Sequence, residues 1–278
     1  MYWRYVILAA GLWAAPVAAD DADMAAAFSL WLNNYRAEAT ARGLAPEWLD
    51  AGLAGVAFIP RAVSLDRTQP GSAGKPLTFP EYLAGKFHGD RIQHGQKRIA
   101  EQQAALGAAE AATGVPAATI AAIWGIETSY GRVMGGFDLP SALATLAFEG
   151  RRRELFTREL DAAVRIVGEG RLPRDAMKGS WAGAFGQSQF LPTSYLAHGR
   201  DGDGDGKVDI RGNLPDVFHS IGQYLAANGW QRGERWGFRA IVPTGLDRAA
   251  VAATEPPTRC VQPLSRHSRP LTAAEWRK

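Results

Sequence analysis

The stretch Pro116-Ala-Ala-Thr-Ile-Ala-Ala-Ile-Trp-Gly-Ile-Glu-Thr-Ser-Tyr-Gly131 has the periodicity of a mostly apolar helix. A proline suits the first turn of a helix, and a glycine suits the position that ends one. The residues three, four and seven positions from Glu127 share its face of this helix, and they are Ile120, Ile123, Trp124 and Tyr130. The sequence therefore predicts a helix that carries one carboxyl group near the end of its apolar face.

A glutamate in this position has two interpretations. Burial disfavours the charged carboxylate and raises its pKa, and a side chain that donates a proton near neutral pH needs such a raised pKa. The alternative is a half-exposed glutamate that is hydrogen-bonded at a helix end. Periodicity alone leaves both interpretations of Glu127 open.

A second segment, Gly179-Ser-Trp-Ala-Gly-Ala-Phe-Gly-Gln-Ser-Gln-Phe-Leu-Pro-Thr-Ser-Tyr195, alternates small residues with serine and glutamine. Small residues let the backbone approach a ligand closely. Neutral donors and acceptors beside aromatic rings suit a sugar better than a phosphate. The alternative is a tight loop that packs a glycine-rich turn against a helix.

The rest of the chain is predicted to be mainly helical. Helices are expected at 22–41, from Pro46 towards Leu53, from Phe79 onwards, and at 91–106, 151–167 and 214–228. Residues 60–80 read as a connection rich in proline and glycine, and the aromatic and β-branched residues 230–242 predict a short strand or hairpin. The last stretch, 252–278, is polar and rich in proline.

Composition excludes several classes of protein. The 278 residues are 46% hydrophobic and 21% charged, which is typical of a globular chain and not of a disordered one. The net charge is only +3 and no dense basic stretch occurs, so we expect no nucleic-acid partner. The single cysteine, Cys260, excludes an internal disulfide and a multi-cysteine metal site.

The first nineteen residues have the pattern of a signal peptide. Arg4 precedes an apolar run at 6–15, and small residues lead to Ala19. The run is shorter than the roughly 20 residues of a spanning helix, and no cysteine follows it to accept a lipid. We therefore expect cleavage of residues 1–19 and a soluble mature protein from Asp20, outside the cytoplasm, without a transmembrane span.

The segment Ile123-Trp-Gly-Ile-Glu-Thr-Ser-Tyr-Gly131, followed by the segment 179–195, resembles the lytic murein transglycosylase B family. The likeness runs from about Phe28 to the C-terminus. It includes Leu65-Asp-Arg-Thr-Gln-Pro70 and Phe148-Glu-Gly-Arg-Arg-Arg153. Two long motifs in the right order make this resemblance specific.

The resemblance implies a mainly α, lysozyme-like fold, with a helical core, an EF-hand-like loop and a short β hairpin. Residues 20–278 would form the catalytic domain. It further implies a periplasmic enzyme that cleaves the β-1,4 bond between N-acetylmuramic acid and N-acetylglucosamine in peptidoglycan glycan strands. The product would carry a 1,6-anhydromuramoyl end, and catalysis would need no cofactor.

The resemblance also assigns roles to single residues. It implies that Glu127 is the single catalytic acid and base; Asp138 and Glu149 stay open as partners, but nothing in the sequence supports them. It implies contacts to the sugar from Ser180 and Gln189, a basic pair in the groove from Arg151 and Arg152, and residues that line or support the groove at Phe185, Gln187 and Tyr195.

Two other functions stay open. A hydrolytic muramidase would cut the same bond with water. A peptidoglycan-binding protein would bind without cutting, because family members continue past a segment like Leu271–Arg277 and complete one side of the groove, whereas this chain stops at Lys278. The C-terminal part of the family's domain is thus expected to be missing.

Residues 201–209 match the opening of an EF-hand calcium loop. Carboxylates stand at positions 1, 3 and 5, glycine at position 6, and Lys207 at position 7. Glycine replaces the acid expected at position 12, and the resemblance points to Asp216 as the later carboxylate. Oxygen ligands favour calcium in a structural role, and the alternative is an acidic turn without an ion. The candidate ligands are Asp201, Asp203, Asp205, Lys207 and Asp216.

Overall fold

The computed structural model describes residues 17–68, 78–87, 89–233, 236–237, 244–247 and 249–253. Residues 1–16 of the predicted leader 1–19, most of the predicted hairpin 230–242 and nearly all of 252–278 lie outside these residues, and the last three residues of the leader belong to the first helix. The chain divides into two units, Met1–Gly233 and Glu234–Lys278. Every helix and strand below belongs to the first unit.

The described part of the chain is mainly α-helical. Its helices are α1 Val17–Ala41, α2 Pro46–Gly52, α3 Pro60–Arg67, α4 Phe79–Lys86, α5 Gly89–Glu101, α6 Gln103–Thr113, α7 Ala117–Thr128, α8 Leu139–Glu149, α9 Arg153–Gly168, α10 Pro192–His198 and α11 Leu214–Ala227. A short 3₁₀-helix spans Arg174–Ala176, and two strands are β1 Phe137–Asp138 and β2 Lys178–Gly179.

Local chemistry explains several helix starts. Thr78 and Glu81 form a reciprocal capping box at α4, and proline occupies the first turn there. The Asp138 side chain accepts the Ser141 backbone N–H at the start of α8, and the Asn213 side chain accepts the Asp216 N–H at the start of α11. These caps satisfy backbone donors that a helix leaves unpaired.

Helix α8 lies at the centre of the core. All its residues from Leu139 to Ala147 are buried. It packs against α1, α3 and α9, while α7 packs against α5, α6 and α11. Among the described residues, no single helix is long and apolar enough to cross a bilayer; α6 and α7 together meet that criterion, but they bend by 114° where they meet.

The described strands differ from the predicted hairpin at 230–242. They are antiparallel and far apart in sequence, with Phe137 opposite Gly179 and Asp138 opposite Lys178. Isolated bridges join Phe185 to Gly179 and to Phe190. This small sheet therefore folds the segment 179–190 back beside α7 and α8.

Several predicted boundaries were wrong. Residues 60–67 form α3 rather than a connection, because Pro60 starts the helix and the Ile59 N–H donates to Thr145 Oγ1 of α8. The helix predicted at 91–106 is two helices that break at Gln102, where no glycine or proline marks the break. Helix α9 begins at Arg153, with Arg152 as its N-cap.

Candidate active site

Helix α7 places Glu127 on the wall of a cavity of about 330 Å³. Ile120 and Trp124 are fully buried and fix the helix in the core. The cavity is lined by Ile123, Glu127, Ser188, Gln189, Phe190, Leu191, Ser194, Ile221, Tyr224 and Leu225. The predicted helix therefore carries its one acid at the edge of a mainly apolar cavity.

The surroundings of Glu127 favour its protonated form. Although the residue is exposed overall, the apolar wall removes part of the hydration of the carboxyl group, and this desolvation raises its pKa. The positive charge of Lys86, at the end of α4, opposes the shift. Within the described residues, no side chain or backbone N–H donates a hydrogen bond to the Glu127 carboxyl group. Its pKa direction agrees with the first interpretation of the sequence, and its exposure with the second.

The acids considered as partners of Glu127 are engaged elsewhere. Asp138 caps α8 and pairs with Arg174. Glu149 pairs with Arg67 and accepts the Arg151 backbone N–H. Among the described residues that line the cavity, Glu127 is the only acid.

The helix ends earlier than predicted. Thr128 is its last residue and Ser129 its C-cap, in the left-handed conformation. Tyr130 therefore does not continue the face of Glu127 as the periodicity predicted. Its ring instead packs edge-on against Trp124, with ring centres 5.3 Å apart, and it lines a different cavity from that of Glu127.

The segment 179–195 is joined to α7 through Gln187. The side-chain oxygen of Gln187 accepts the Trp124 indole N–H at 2.7 Å, and its side-chain nitrogen donates to the Arg211 carbonyl at 2.7 Å. The Thr128 hydroxyl donates to the Gln187 carbonyl at 3.1 Å. Gln187 is thus buried and bonded to α7, and it is not among the residues that line the cavity of Glu127.

Gln189 is the predicted sugar contact that does line the cavity. It has a positive φ of 49°, which is uncommon for a residue with a side chain. Its amide nitrogen donates to the carbonyls of Met134 at 3.2 Å and Gly186 at 2.9 Å. These two hydrogen bonds fix the Gln189 side chain. None of the described residues donates a hydrogen bond to its amide oxygen.

The other predicted residues of this segment lie outside the cavity lining. The half-buried Ser180 accepts the Ala184 N–H on its hydroxyl at 3.0 Å. Phe185 and Tyr195 are buried with ring centres 5.4 Å apart, and the Tyr195 hydroxyl donates to the Val208 carbonyl. Burial raises the pKa of Tyr195 to about 12. Phe185 and Tyr195 thus belong to the hydrophobic core.

Arg151 and Arg152 form a separate basic site. Both pair with the carboxylate of Asp66, which is only 1% exposed, and Arg151 Nε lies 2.8 Å from its Oδ2. The two arginines line a cavity of about 510 Å³ whose lining does not include Glu127. Both arginines therefore bind Asp66, which the sequence analysis named only as part of the motif 65–70.

Two functional candidates escaped the sequence analysis. Lys86 lies 41 positions before Glu127, and nothing in its local pattern marks it. Tyr224 of α11 is 39% exposed on the cavity wall, where its ring lies tilted against that of Phe190, with ring centres 5.5 Å apart. Its spacing of three from the buried Ile221 was the available signal.

The acidic loop, residues 201–216, brings together three carboxylates. Single oxygens of Asp201, Asp203 and Asp216 all lie within 4.8 Å of one another, and Asp216 is fully buried. The Asp216 carboxylate accepts the backbone N–H groups of Gly202 and Asp209 at 2.7 and 2.6 Å. The later carboxylate expected at Asp216 thus faces the start of the loop. Asp205 and Lys207 lie outside this group.

Known proteins share this architecture. Membrane-bound lytic murein transglycosylase B of Escherichia coli (strain K12) is 34% identical over 177 residues, which are 62% of this chain and 49% of that protein. SltB3 of Pseudomonas aeruginosa, solved in complex with NAG-anhNAM-pentapeptide, is 40% identical with a TM-score of 0.75, over 81% of this chain and 59% of the other. Escherichia coli Slt35 in complex with calcium is 30% identical with a TM-score of 0.65, over 73% and 64%.

The chain spans about half the length of the curated relative it matches. The solved structures confirm the mainly α, lysozyme-like fold of lytic transglycosylases. The family described as Transglycosylase SLT domain matches residues 27–275. This match covers most of the sequence, and the chain therefore belongs to the Transglycosylase SLT domain family.

Proposed function

We propose that this chain is a lytic murein transglycosylase that cleaves the β-1,4 bond between N-acetylmuramic acid and N-acetylglucosamine of peptidoglycan. The supporting observation is the single carboxyl group of Glu127 on an apolar cavity wall. Ordinary glycosidases place a second acid across the bond, and no second acid lines this cavity among the described residues. The names of the relatives point to the same reaction class.

One carboxyl group can perform both proton transfers. Protonated Glu127 donates its proton to the glycosidic oxygen while the bond from C1 to that oxygen breaks. The N-acetyl oxygen of the same sugar stabilises the positive charge at C1. The Glu127 carboxylate then takes the proton of the C6 hydroxyl as O6 bonds to C1. Water is neither consumed nor released, and Glu127 ends protonated for the next cycle.

The raised pKa of Glu127 supports the first of these steps. A carboxyl group with a raised pKa keeps its proton closer to neutral pH. An apolar wall also limits the water that would compete with the C6 hydroxyl for C1. Both properties come from the same feature, which is the placement of an acid beside Ile123 and Ile221.

The surrounding residues are assigned to substrate binding. We assign sugar contacts to Gln189 and Ser180. Among the described residues, none donates a hydrogen bond to the Gln189 amide oxygen, and the Ser180 hydroxyl, which accepts the Ala184 N–H, can still donate its own proton. Arg151 and Arg152, which are 44% and 34% exposed, are assigned to carboxylates of the peptide stem or lactyl group. Phe185, Gln187 and Tyr195 are assigned supporting roles.

We further propose that the acidic loop binds calcium in a structural role. Three converging carboxylates repel one another without a cation, and oxygen-only ligands suit calcium. Asp201, Asp203 and Asp216 would hold the ion, with Asp205 and the Lys207 carbonyl completing the set. The calcium complex of Slt35 supports this assignment by likeness. The ion would neutralise the loop and take no part in the chemistry at Glu127.

The cellular location of the protein is also a proposal. Residues 1–19 are proposed to direct export to the periplasm, where peptidoglycan lies, and to be removed from a catalytic domain over 20–278. The charged start, apolar run and small residues before Asp20 support this.

The test of the function is mass spectrometry of the fragments released from purified peptidoglycan. We expect muropeptides with 1,6-anhydro ends, which are one water lighter than hydrolysed ends. Release of hydrolysed ends would make the chain a muramidase. Sedimentation with peptidoglycan but no release would make it a binding protein.

A further inference from the structure

The turn that follows Glu127 has an uncommon backbone. Ser129, Tyr130 and Gly131 have φ angles of 51°, 62° and 84°, so three consecutive residues are left-handed. Residues with a Cβ rarely adopt this conformation, and neighbouring contacts must hold them there. Since Glu127 lies only two residues before Ser129, these contacts also govern the last turn of α7.

Arg91 makes one of these contacts. From the first turns of α5, its Nη2 donates to the Ser129 hydroxyl at 3.3 Å. Its Nη1 donates to the Lys86 carbonyl at the end of α4 at 3.1 Å. One planar guanidinium group can reach two acceptors in different directions, which the single ammonium of lysine does less well. Arg91 therefore bridges the turn after Glu127 and the residue whose charge acts on Glu127.

The ring of Tyr130 makes the second contact with α5. It lies against Gly95 of α5 and Gly125 of α7, and a Cβ added at Gly125 would be 2.6 Å from Tyr130 Cζ. A Cβ at Gly95 would overlap the Tyr130 hydroxyl. Glycine at both positions thus allows the ring to fill the space between α5 and α7. The turn is consequently held against α5 by its own Tyr130 ring and by the Arg91 guanidinium group.

From this geometry we infer that Arg91 is a positioning residue for Glu127, acting through the Ser129 hydroxyl and the Lys86 carbonyl. The inference rests on the proposed function, since it concerns the orientation of the acid in that reaction. Arg91 lines a different cavity from the one that Glu127 lines, so it has no direct part in binding the sugar there. Its effect is to tether the turn after α7 to α5 and to the end of α4, which fixes the last turn of α7 and with it the Glu127 carboxyl group.

The Ser129→Gly variant distinguishes a positioning role of the contact between Arg91 and Ser129 from a role in folding. Glycine adopts positive φ without strain, so we expect the melting temperature of this variant to be unchanged or higher. The variant also loses the hydroxyl that Arg91 contacts. A small misplacement of a reacting group costs up to about a hundredfold in rate, so we expect kcat on soluble glycan fragments to fall about ten- to a hundredfold while KM changes little.

Arg91→Met is expected to lower kcat in the same way, and Arg91→Met with Ser129→Gly to lower it no further than Arg91→Met alone. Lys97→Met on α5 is the matched control, because the Lys97 side chain is 76% exposed and its ion pair with Glu101 is long, at 4.0 Å. An unchanged kcat in Ser129→Gly, or multiplicative losses in the double variant, would overturn the inference.

Hydrogen exchange provides a readout that does not depend on activity. We expect faster exchange of the backbone N–H groups of 127–131 in Arg91→Met than in Lys97→Met. Equal exchange in the two variants would show that Arg91 does not hold the turn. If the unmodified chain releases no product, the proposed function fails, and the exchange measurement still decides whether Arg91 holds the end of α7.

Discussion

Glu127 in its cavity and Asp201 in the acidic loop carry the same chemical group in opposite environments. In the cavity, a single carboxyl group stands on an apolar wall, and desolvation raises its pKa. In the loop, the Asp201 carboxylate accepts the backbone N–H groups of Gly204 and Gly206, and the bond from Gly206 is the main cause of its lowered pKa. The environment of Glu127 favours a proton on the carboxyl group and that of Asp201 favours a negative charge, whereas burial raises the pKa of Asp216 in the same loop.

The difference lies in the neighbours of each acid and not in residue type. An isolated acid beside aliphatic side chains can exchange a proton at accessible pH. Converging carboxylates fixed by backbone N–H groups are preorganised for a cation. One region therefore suits acid–base chemistry, and the other suits a structural ion.

The largest expected effect is on activity in the cavity. Glu127→Gln keeps the size of the side chain but removes the transferable proton. General acid–base catalysis contributes about 10²–10⁴-fold, so we expect release of anhydromuropeptides to fall by at least that factor while sedimentation with peptidoglycan persists. Glu47→Gln, at an exposed position in α2, is the matched control. Similar release by the Glu127 variant and the control would contradict the assignment.

In the acidic loop we expect a gain of stability from calcium. A ligand that binds only the folded state stabilises it by about 2.7 kcal/mol at a hundred times its dissociation constant. The melting temperature should therefore be higher with calcium than with chelator, and Asp203→Ala should abolish this difference. Asp175→Ala, at an exposed position outside the loop, should preserve it. Equal melting temperatures of the unmodified chain in both conditions would refute the calcium site.

The stability of the same Glu127→Gln variant tests whether desolvation raises the pKa of Glu127. Because the pKa of Glu127 is higher in the folded than in the unfolded chain, the folded chain binds more protons between the two values, and its stability falls as pH rises through that window. Neutral glutamine removes this loss. We expect the melting temperature of the variant to equal or exceed that of the unmodified chain above this window. A lower melting temperature there would contradict desolvation as the cause of the shift.

The smallest expected effect comes from Lys86, whose charge lowers the pKa of Glu127 against the effect of desolvation. Lys86→Met should raise that pKa further. The protonated form of Glu127 then persists to higher pH, so the basic limb of the pH profile of kcat/KM should move upwards. Lys97→Met should leave it in place. A basic limb that stays or moves downwards in Lys86→Met would show that Lys86 does not act on Glu127.

Much of the helical framework was predictable because its signals are local. Pro116 marked the start of α7, and the period of 3.6 residues placed Glu127 beside Ile123. The end of α7 was not predictable, since Ser129 and Tyr130 are not residues that usually adopt positive φ. Gly131 predicted a later end for this helix than Thr128, which is its last residue.

Residues of the site that come from distant elements were harder to predict. Tyr224 and Lys86 reach the surroundings of Glu127 only through the packing of α11 and the end of α4. Gln187 was expected to line or support the groove; its side chain bonds to Trp124 and Arg211, and its role stays a prediction. Arg151 and Arg152 were expected in the groove, and their neighbour Asp66 lies 85 positions away from Arg151.

The central claim is that the C6 hydroxyl of the sugar, rather than water, attacks C1. Digestion of purified peptidoglycan in water enriched in ¹⁸O, followed by mass spectrometry of the soluble fragments, tests it directly. We expect anhydro ends that are one water lighter than hydrolysed ends and contain no ¹⁸O. Reducing ends that carry ¹⁸O from the first turnovers would contradict it, because water would then be the nucleophile.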